Sequence, residues 1–211
     1  YRTAASFVRT RIGLDHHTRL LPDEQLTSGA TGGGLFVVGS YVEKTGRQLA
    51  ILLDEPGIVA LEVRVEKLLD ERCHQAEIDS VSRQATEALS RGLDCVIYTS
   101  RRLVTGADAD TSLAIGKIVS DSLIATVGSL AAQPRYLLAK GGITSSDVAT
   151  RGLGVRRAMI IGQALPGVPV WRLGAESRYP GMPYIVFPGN VGSDDALATL
   201  RRRLSEGPAV R

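Results

Sequence analysis

Cysteine is scarce. The 211 residues include two, Cys73 and Cys95, and neither lies in a CxxC pair or beside a histidine at ligand spacing, so neither a zinc site nor a disulfide framework is suggested. A reducing cytoplasm is the expected compartment. An excess of one charge is also missing: Lys+Arg 25 against Asp+Glu 22 leaves a net +3. The densest basic run, Arg201 to Arg203, falls near the C-terminus, where a closing helix favours cations, so nucleic acid is not an expected partner. No apolar run reaches the roughly 18 residues that span a bilayer, and the opening "YRTAASFVRTRIG" lacks the apolar core of a signal peptide. A membrane partner is therefore not expected either.

Several catalytic signatures are missing too. There is no GxSxG for a hydrolase and no GxGxxG after a strand for a dinucleotide. The stretch "VVGSYVEKTGRQL" invites a Walker reading, but Lys44 stands where that loop requires its second glycine. His16, His17 and His74 have no partner serine or cysteine in a recognisable motif. Arg151, Arg156, Arg157, Arg172 and Arg178 read as surface residues, of which one or two are candidates to reach an anion.

What is present is an ordinary soluble composition, 44% apolar and 22% charged, with ample material for one full core. Apolar positions at Ala5, Val8 and Ile12 give a short amphipathic helix ending near Gly13. From Asp15 to Gly34 the chain is polar and glycine-rich, with linker composition, and "TGGG" at Thr31 to Gly34 reads as a flexible joint. The expected division is residues 1–30, a remnant of another domain plus linker, and residues 31–211, one domain. The start without Met agrees with a piece of something longer.

Beyond residue 34, short apolar runs alternate with longer helical patterns. "LFVVGS", "GIVALEV", "LDCVIYTS", "RYLLAK", "AMIIG", "VPVWRL" and "PYIVF" read as strands. "EKTGRQLAILLD", a long region from about Glu66 to Ser90, Asp110 to Leu130 and "DDALATLRRRL" read as helices. In the third, Leu113, Ile115, Ile118, Val119 and Leu123 are the apolar positions. Strands apolar on both faces and separated by helices predict an α/β domain, a largely parallel sheet with helices on both faces. Trp171 reads as core or rim packing.

In such sheets ligands bind outside the carboxyl ends of the strands, so the residues after each apolar run carry the interest. Gly39 and Ser40 follow the first strand. "GGITSS" follows another: Gly141 and Gly142 let the backbone turn and let a ligand approach the main chain. Ile143 comes next, and Thr144, Ser145, Ser146 and Asp147 offer hydroxyls, a cap and the free N–H groups of a helix start, which favour phosphate. The competing reading is a βα turn with a well-capped helix. "PGNVGS" repeats the design with Gly189, Asn190 and Gly192, and Ser193 as an N-cap. There Asp194 and Asp195 already complement the helix dipole, so Gly189 and Asn190 are expected to approach a ligand by backbone or amide.

Together, "VVGSYVEKTGRQL", "LLAKGGITSSDVATRGLG", "GQALPGVPVWRLG" and "YIVFPGNVG" resemble the C-terminal nucleotide-binding domain of the four-carbon acid sugar kinase family, from about residue 34 to 204. "YRTAASFVR" resembles the end of that family's N-terminal domain. The resemblance implies a two-domain α/β kinase whose C-terminal half binds ATP, with Mg²⁺ bridging the phosphates, and whose other half holds a small sugar acid of the threonate or oxo-tetronate kind. It implies a nucleotide site lined by Ser40, Gly141, Gly142, Ile143, Thr144, Gly189, Asn190 and Gly192, and it allows a homo-oligomer. Many members carry an acidic residue where this chain has Ile143 and serine where it has Pro188, and those departures bear on the contacts at both positions. The family's N-terminal "DDxTG" segment is not in this chain. The alternative function is a non-catalytic module that senses a nucleotide or phosphosugar.

Overall fold

The computed structural model describes residues 7, 10, 11, 13, 20–27, 31–102 and 104–205. Seven strands form one sheet: β1 (Leu35–Val38), β2 (Ile58–Val63), β3 (Asp94–Thr99), β4 (Leu137–Lys140), β5 (Ala158–Leu165), β6 (Val168–Leu173) and β7 (Pro183–Phe187). Their spatial order is β2-β3-β1-β4-β7-β6-β5. Pairing is parallel from β2 through β7 and antiparallel at β6 and β5. The expected largely parallel sheet is present, with a hairpin pair closing one side.

Strand residues alternate between the two faces. Leu35 and Val37 of β1 join one cluster, with α2 (Val65–Leu68), α3 (His74–Ser90), α4 (Ala109–Gly128) and the π turn at Val148–Gly152 into which α5 (Gly142–Asp147) runs on. Phe36 and Val38 join the other, with α1 (Glu43–Leu53) and α6 (Ala196–Ser205). Both faces of the central strands are therefore apolar, which is why the sequence shows continuous runs there instead of alternation.

Three local expectations need correction. The helical region from Glu66 to Ser90 is two helices, because the Asp70 carboxylate takes the Arg72 amide at 3.0 Å and turns the chain between them. In α4 the buried residues are Val119, Ser122, Leu123, Ile124, Thr126 and Val127, and the expected positions Leu113 and Ile118 lie off them, 74% and 36% exposed. The supposed joint at Thr31 to Gly34 ends locked in the core. A Cβ on Gly33 would stand 1.8 Å from the Leu93 carbonyl oxygen, and one on Gly34 2.0 Å from the Tyr136 ring. The glycines are there for close packing.

Of the expected first helix, Phe7, Thr10 and Arg11 are helical and Gly13 is a turn; the rest, like His16 and His17, lies outside the described residues. Leu20 bridges Gln163 at the edge of β5. Leu21 and Leu26 are buried in the α1/α6 cluster. Trp171 stacks on Tyr184 at 5.9 Å, partly buried, as expected of packing.

The sheet end opposite the strand tips is tied by Asp94. Its carboxylate accepts the Gly34 amide at 2.9 Å, Arg201 Nε at 3.0 Å and the Ser205 hydroxyl at 3.0 Å, with Arg135 3.6 Å away. This ties β3, the entry to β1 and α6 together. Removing one partner of a buried ion pair leaves the other charge uncompensated. Because Arg135 remains and Arg201 is 14% exposed, Arg201→Met should lower stability by about 2–3 kcal/mol, below the full cost of a wholly buried pair. Guanidinium denaturation would show this, and an unchanged midpoint would contradict it.

Candidate functional site

The parallel register sets β1, β3, β4 and β7 level at their carboxyl ends: Val38 pairs with both Tyr98 and Lys140, and Lys140 with Phe187. From β1 the chain crosses to β2 and β3 on one side, and from β3 it returns across β1 to β4 on the other. Ligands bind at such a reversal of strand order. A cleft of about 410 Å³ opens there. Its lip is Ser40, Tyr41 and Gly141 to Thr144, and its wall is apolar, with Val65, Val104, Ile115, Val119 and Leu123.

Each lip residue has a structural reason for its place. Gly141 has φ +110°, a conformation L side chains rarely adopt, and its Cβ would stand 3.2 Å from Ser40 Cβ. Gly39 lets α5 approach β1, since a Cβ there would stand 2.8 Å from Thr144 Oγ1. Gly142 has nothing within 4 Å of where its Cβ would be, so its missing side chain leaves room in the cleft itself. Ile143 also lines the cleft and is 76% exposed.

The expected capping of this helix does not occur. Its N-cap is Gly141, and no side chain bonds the first-turn amides. Ser145 is buried and donates to the Ala139 carbonyl at 2.7 Å, while Tyr184 donates to the Ser145 carbonyl at 2.7 Å. Asp147 accepts from Ser120 at 3.3 Å. These contacts hold α5 on β4 and β7 and leave the N–H groups of Gly142, Ile143 and Thr144 without a capping side chain, the arrangement that favours an anion. At the other turn Ser193 bonds the Asp195 carboxylate, so its hydroxyl is not spent as expected on the helix start.

Of the eight expected site residues, Ser40 and Gly141 to Thr144 meet in the cleft. Gly189 abuts it: a Cβ there would lie 3.9 Å from Ser40 Oγ. Asn190 is exposed on the same turn. Gly192, at φ +81°, faces α6 and the Phe187 ring.

Two cations at this edge escaped the sequence reading. Arg101, just past β3, donates to the Ser40 carbonyl at 2.8 Å and lies over the Tyr41 ring. Lys140 is fully buried and donates to the carbonyls of Pro188 at 2.7 Å and Gly189 at 3.2 Å. Burial, with help from nearby Lys44, pulls its ammonium down to about 8. The signal was available: a lysine closing an apolar strand directly before two glycines.

The arginines considered earlier do not line the cleft. Arg151 pairs with Asp121 at 2.7 Å, and Arg178 donates to the Gly128 and Leu130 carbonyls. His74 is held between the Leu68 carbonyl and the Ser122 hydroxyl. Among the described residues no three His, Cys, Asp or Glu side chains cluster as a metal site, and no helix is long and apolar enough to cross a membrane.

The two adjacent glycines should therefore respond differently to alanine. Gly141→Ala should cost about 1–3 kcal/mol through backbone strain. Gly142→Ala should be neutral or stabilising by up to about 1 kcal/mol, as expected for a helical glycine with open space around it. Thermal melts of the two variants check this, and equal losses would refute it.

Comparison with known proteins agrees with this fold. The family model described as a nucleotide-binding C-terminal domain matches residues 35–197. A 3-oxo-isoapionate kinase from Paraburkholderia graminis is 31% identical over 141 residues, 60% of this chain and 29% of that protein. Among solved structures, a domain of unknown function from Bordetella bronchiseptica, with bound citrate and as a domain-swapped dimer, superposes with TM-score 0.67 at 22% identity, over 83% of this chain and 42% of that one. A Haemophilus influenzae protein of the same kind gives TM-score 0.61 at 20% identity, over 94% and 46%. This chain thus spans less than half the length of these relatives. With the family match extending from β1 into α6, the chain belongs to the family of nucleotide-binding C-terminal domains, that of the four-carbon acid sugar kinases.

Proposed function

We propose that this chain is the ATP-binding domain of a kinase that phosphorylates a hydroxyl of a small, four-carbon type sugar acid. The observation that carries the reading is the convergence of two glycine turns, Gly141–Gly142 and Gly189, on Ser40 beside uncapped amides and an apolar slot. The base and ribose would lie against Val65, Val104, Ile115 and Val119, and the phosphates on Ser40 and the amides of Gly142 to Thr144. Gly189 and Asn190 would close on the phosphates from the other side.

Phosphoryl transfer needs mostly positioning and neutralisation of charge. The chain's own residues supply the positioning through amides and hydroxyls. Mg²⁺ in such a reaction neutralises phosphate charge, but among the described residues Asp147 is the one carboxylate lining the cleft, and a single carboxylate is not a magnesium cage. The ion would arrive on the nucleotide. Residues 1–30 would be the remnant of a sugar-acid-binding domain and its linker, with the base that activates the acceptor lying in that other domain. The unpaired Cys73 and buried Cys95 suit a reducing cytoplasm. The exposed Met159 and Ile160 on edge strand β5 suit a homo-oligomer.

Calorimetry with ADP tests the nucleotide reading: this chain should bind ADP weakly while turning over no sugar acid. A folded sample giving no heat at millimolar ADP would exclude it. Binding of ADP by a full-length protein that phosphorylates no sugar acid would favour the sensing module.

Two variants locate the site. Gly142→Val puts a branched side chain into open cleft space, so ADP affinity should fall about tenfold or more, roughly 1.4 kcal/mol, with the melting temperature nearly unchanged. Thr144 Oγ1 caps nothing, and a hydrogen bond to a charged oxygen contributes about 1.5–3 kcal/mol. Thr144→Val in the full-length enzyme should then lower kcat/KM for ATP by about tenfold to a hundredfold. Unchanged kinetics with a lowered melting temperature would assign Thr144 to packing alone.

A further inference from the structure

Among the described residues, Lys140 is a buried charge with no counter-ion. It is 0% exposed, its ammonium donates to the Pro188 and Gly189 carbonyls, and its remaining side faces the Phe187 ring at 4.2 Å. All of these partners are neutral. Burying an ammonium without an anion is costly even when its hydrogen bonds are satisfied. Asp94, the other strongly buried charge of the sheet, has Arg201 and Arg135 around it. The contrast calls for an explanation, and the position of Lys140 supplies one: it directly precedes Gly141 of the cleft's lip, and its ammonium sits under the β7 turn on the α1/α6 face, outside the residues that line the cleft.

The contacts of the β7 turn point the same way. Pro188 and Gly189 give their carbonyls to Lys140, Gly189 also accepts from Thr45 at 3.4 Å, and Gly192 accepts from Lys44 at 2.9 Å. Gln48 Nε2 takes the carbonyls of Val191 at 3.0 Å and Ser193 at 2.7 Å. A trans peptide holds its C=O and N–H antiparallel. Pinning the Pro188 carbonyl on the ammonium therefore turns the Gly189 N–H away from it, and pinning Gly189 does the same to the Asn190 N–H. Among the described residues neither amide meets a protein acceptor.

We propose that Lys140 is a positioning residue for phosphate binding: it orients the Gly189 and Asn190 amides toward a ligand anion, and the nucleotide's phosphate is its missing counter-charge. This rests on the nucleotide reading above and adds to it a residue that touches no ligand but aligns both turns. The charged and titratable groups on the packed elements are few. Lys44 of α1 acts on Lys140, Arg47 of α1 is engaged by Glu43 and Asp194, Tyr184 of β7 donates to Ser145, and Asp147 of α5 holds Ser120. Burial first, and nearby Lys44 second, hold the ammonium down at about 8. An anion arriving nearby favours the charged form and should raise it.

The test uses the whole chain with ADP and, separately, inorganic pyrophosphate. The Lys140 ammonium is followed by NMR of lysine labelled at Cε, recognised by the ring-current shift from Phe187. Saturating ADP should raise its titration midpoint by about one pH unit, a tenfold change in proton affinity. By linkage, ADP affinity should fall as pH rises from 7 to 10. Lys140→Met should weaken ADP and pyrophosphate about tenfold or more, and Lys140→Arg should recover part of the loss. If the wild type binds ADP and the midpoint does not move, the inference is wrong while the nucleotide reading stands. If the wild type binds neither probe, both fall. Should Lys140→Met not fold, the wild-type titration alone decides. A folded Lys140→Met that binds ADP normally also overturns the proposal.

Discussion

The alignment of four parallel strand ends governs everything at this molecule's functional edge. β1 is hydrogen-bonded to β3 on one side and β4 on the other, and β4 to β7, so Val38, Tyr98, Lys140 and Phe187 stand level. Each following turn then leaves the sheet at the same height. Because a shift of one residue would exchange the two faces of a strand, the apolar residues on both faces hold this register. Leu35 and Val37 must face α3 and α4 while Phe36 and Val38 face α1 and α6. The lip of the cleft inherits its geometry from that packing.

Much of this was legible in the amino-acid sequence. Buried parallel strands need unbroken apolar runs, and β1, β3 and β4 announce themselves that way, while the antiparallel β5 and β6 were legible as short apolar runs despite their partial exposure. The two glycine turns after β4 and β7 were visible because positive φ and close approach leave few alternatives to glycine. What stayed hidden depends on partners distant in the chain. Gly33 and Gly34 look like a hinge until Leu93 and Tyr136 are brought against them. Ser145 looks like a cap, yet it faces the Ala139 carbonyl because α5 begins one turn earlier, at Gly142. Arg101 and Lys140 resemble any other cation until their acceptors, 61 and 48 residues away along the chain, are known.

The sheet carries its buried charge in two ways, one at each end. At the amino-terminal end of β3, Asp94 is surrounded by Arg201, Arg135, Ser205 and the Gly34 amide, a closed network whose role is to bind α6 to the sheet. At the carboxyl end of β4, Lys140 is met by two carbonyls and a ring. A satisfied pair contributes to holding the fold, whereas a lone charge costs stability. The unpaired charge therefore fits a role in binding better than one in folding.

That distinction bears on how labour is divided in the proposed kinase. The lip of the cleft presents donors: the first amides of α5, the Ser40 and Thr144 hydroxyls, and behind them Lys140. Among the described residues, acceptors that could take a proton from an alcohol are few, since Asp147 is the one carboxylate lining the cleft and it is engaged by Ser120. A donor-rich lip suits a group that is already anionic and must be held still. A hydroxyl that must lose its proton needs a base, and among the described residues the cleft does not provide a free one. Its chemistry is thus suited to the phosphate side of the transfer, and the acceptor side calls for a second surface facing Ser40 and Gly142.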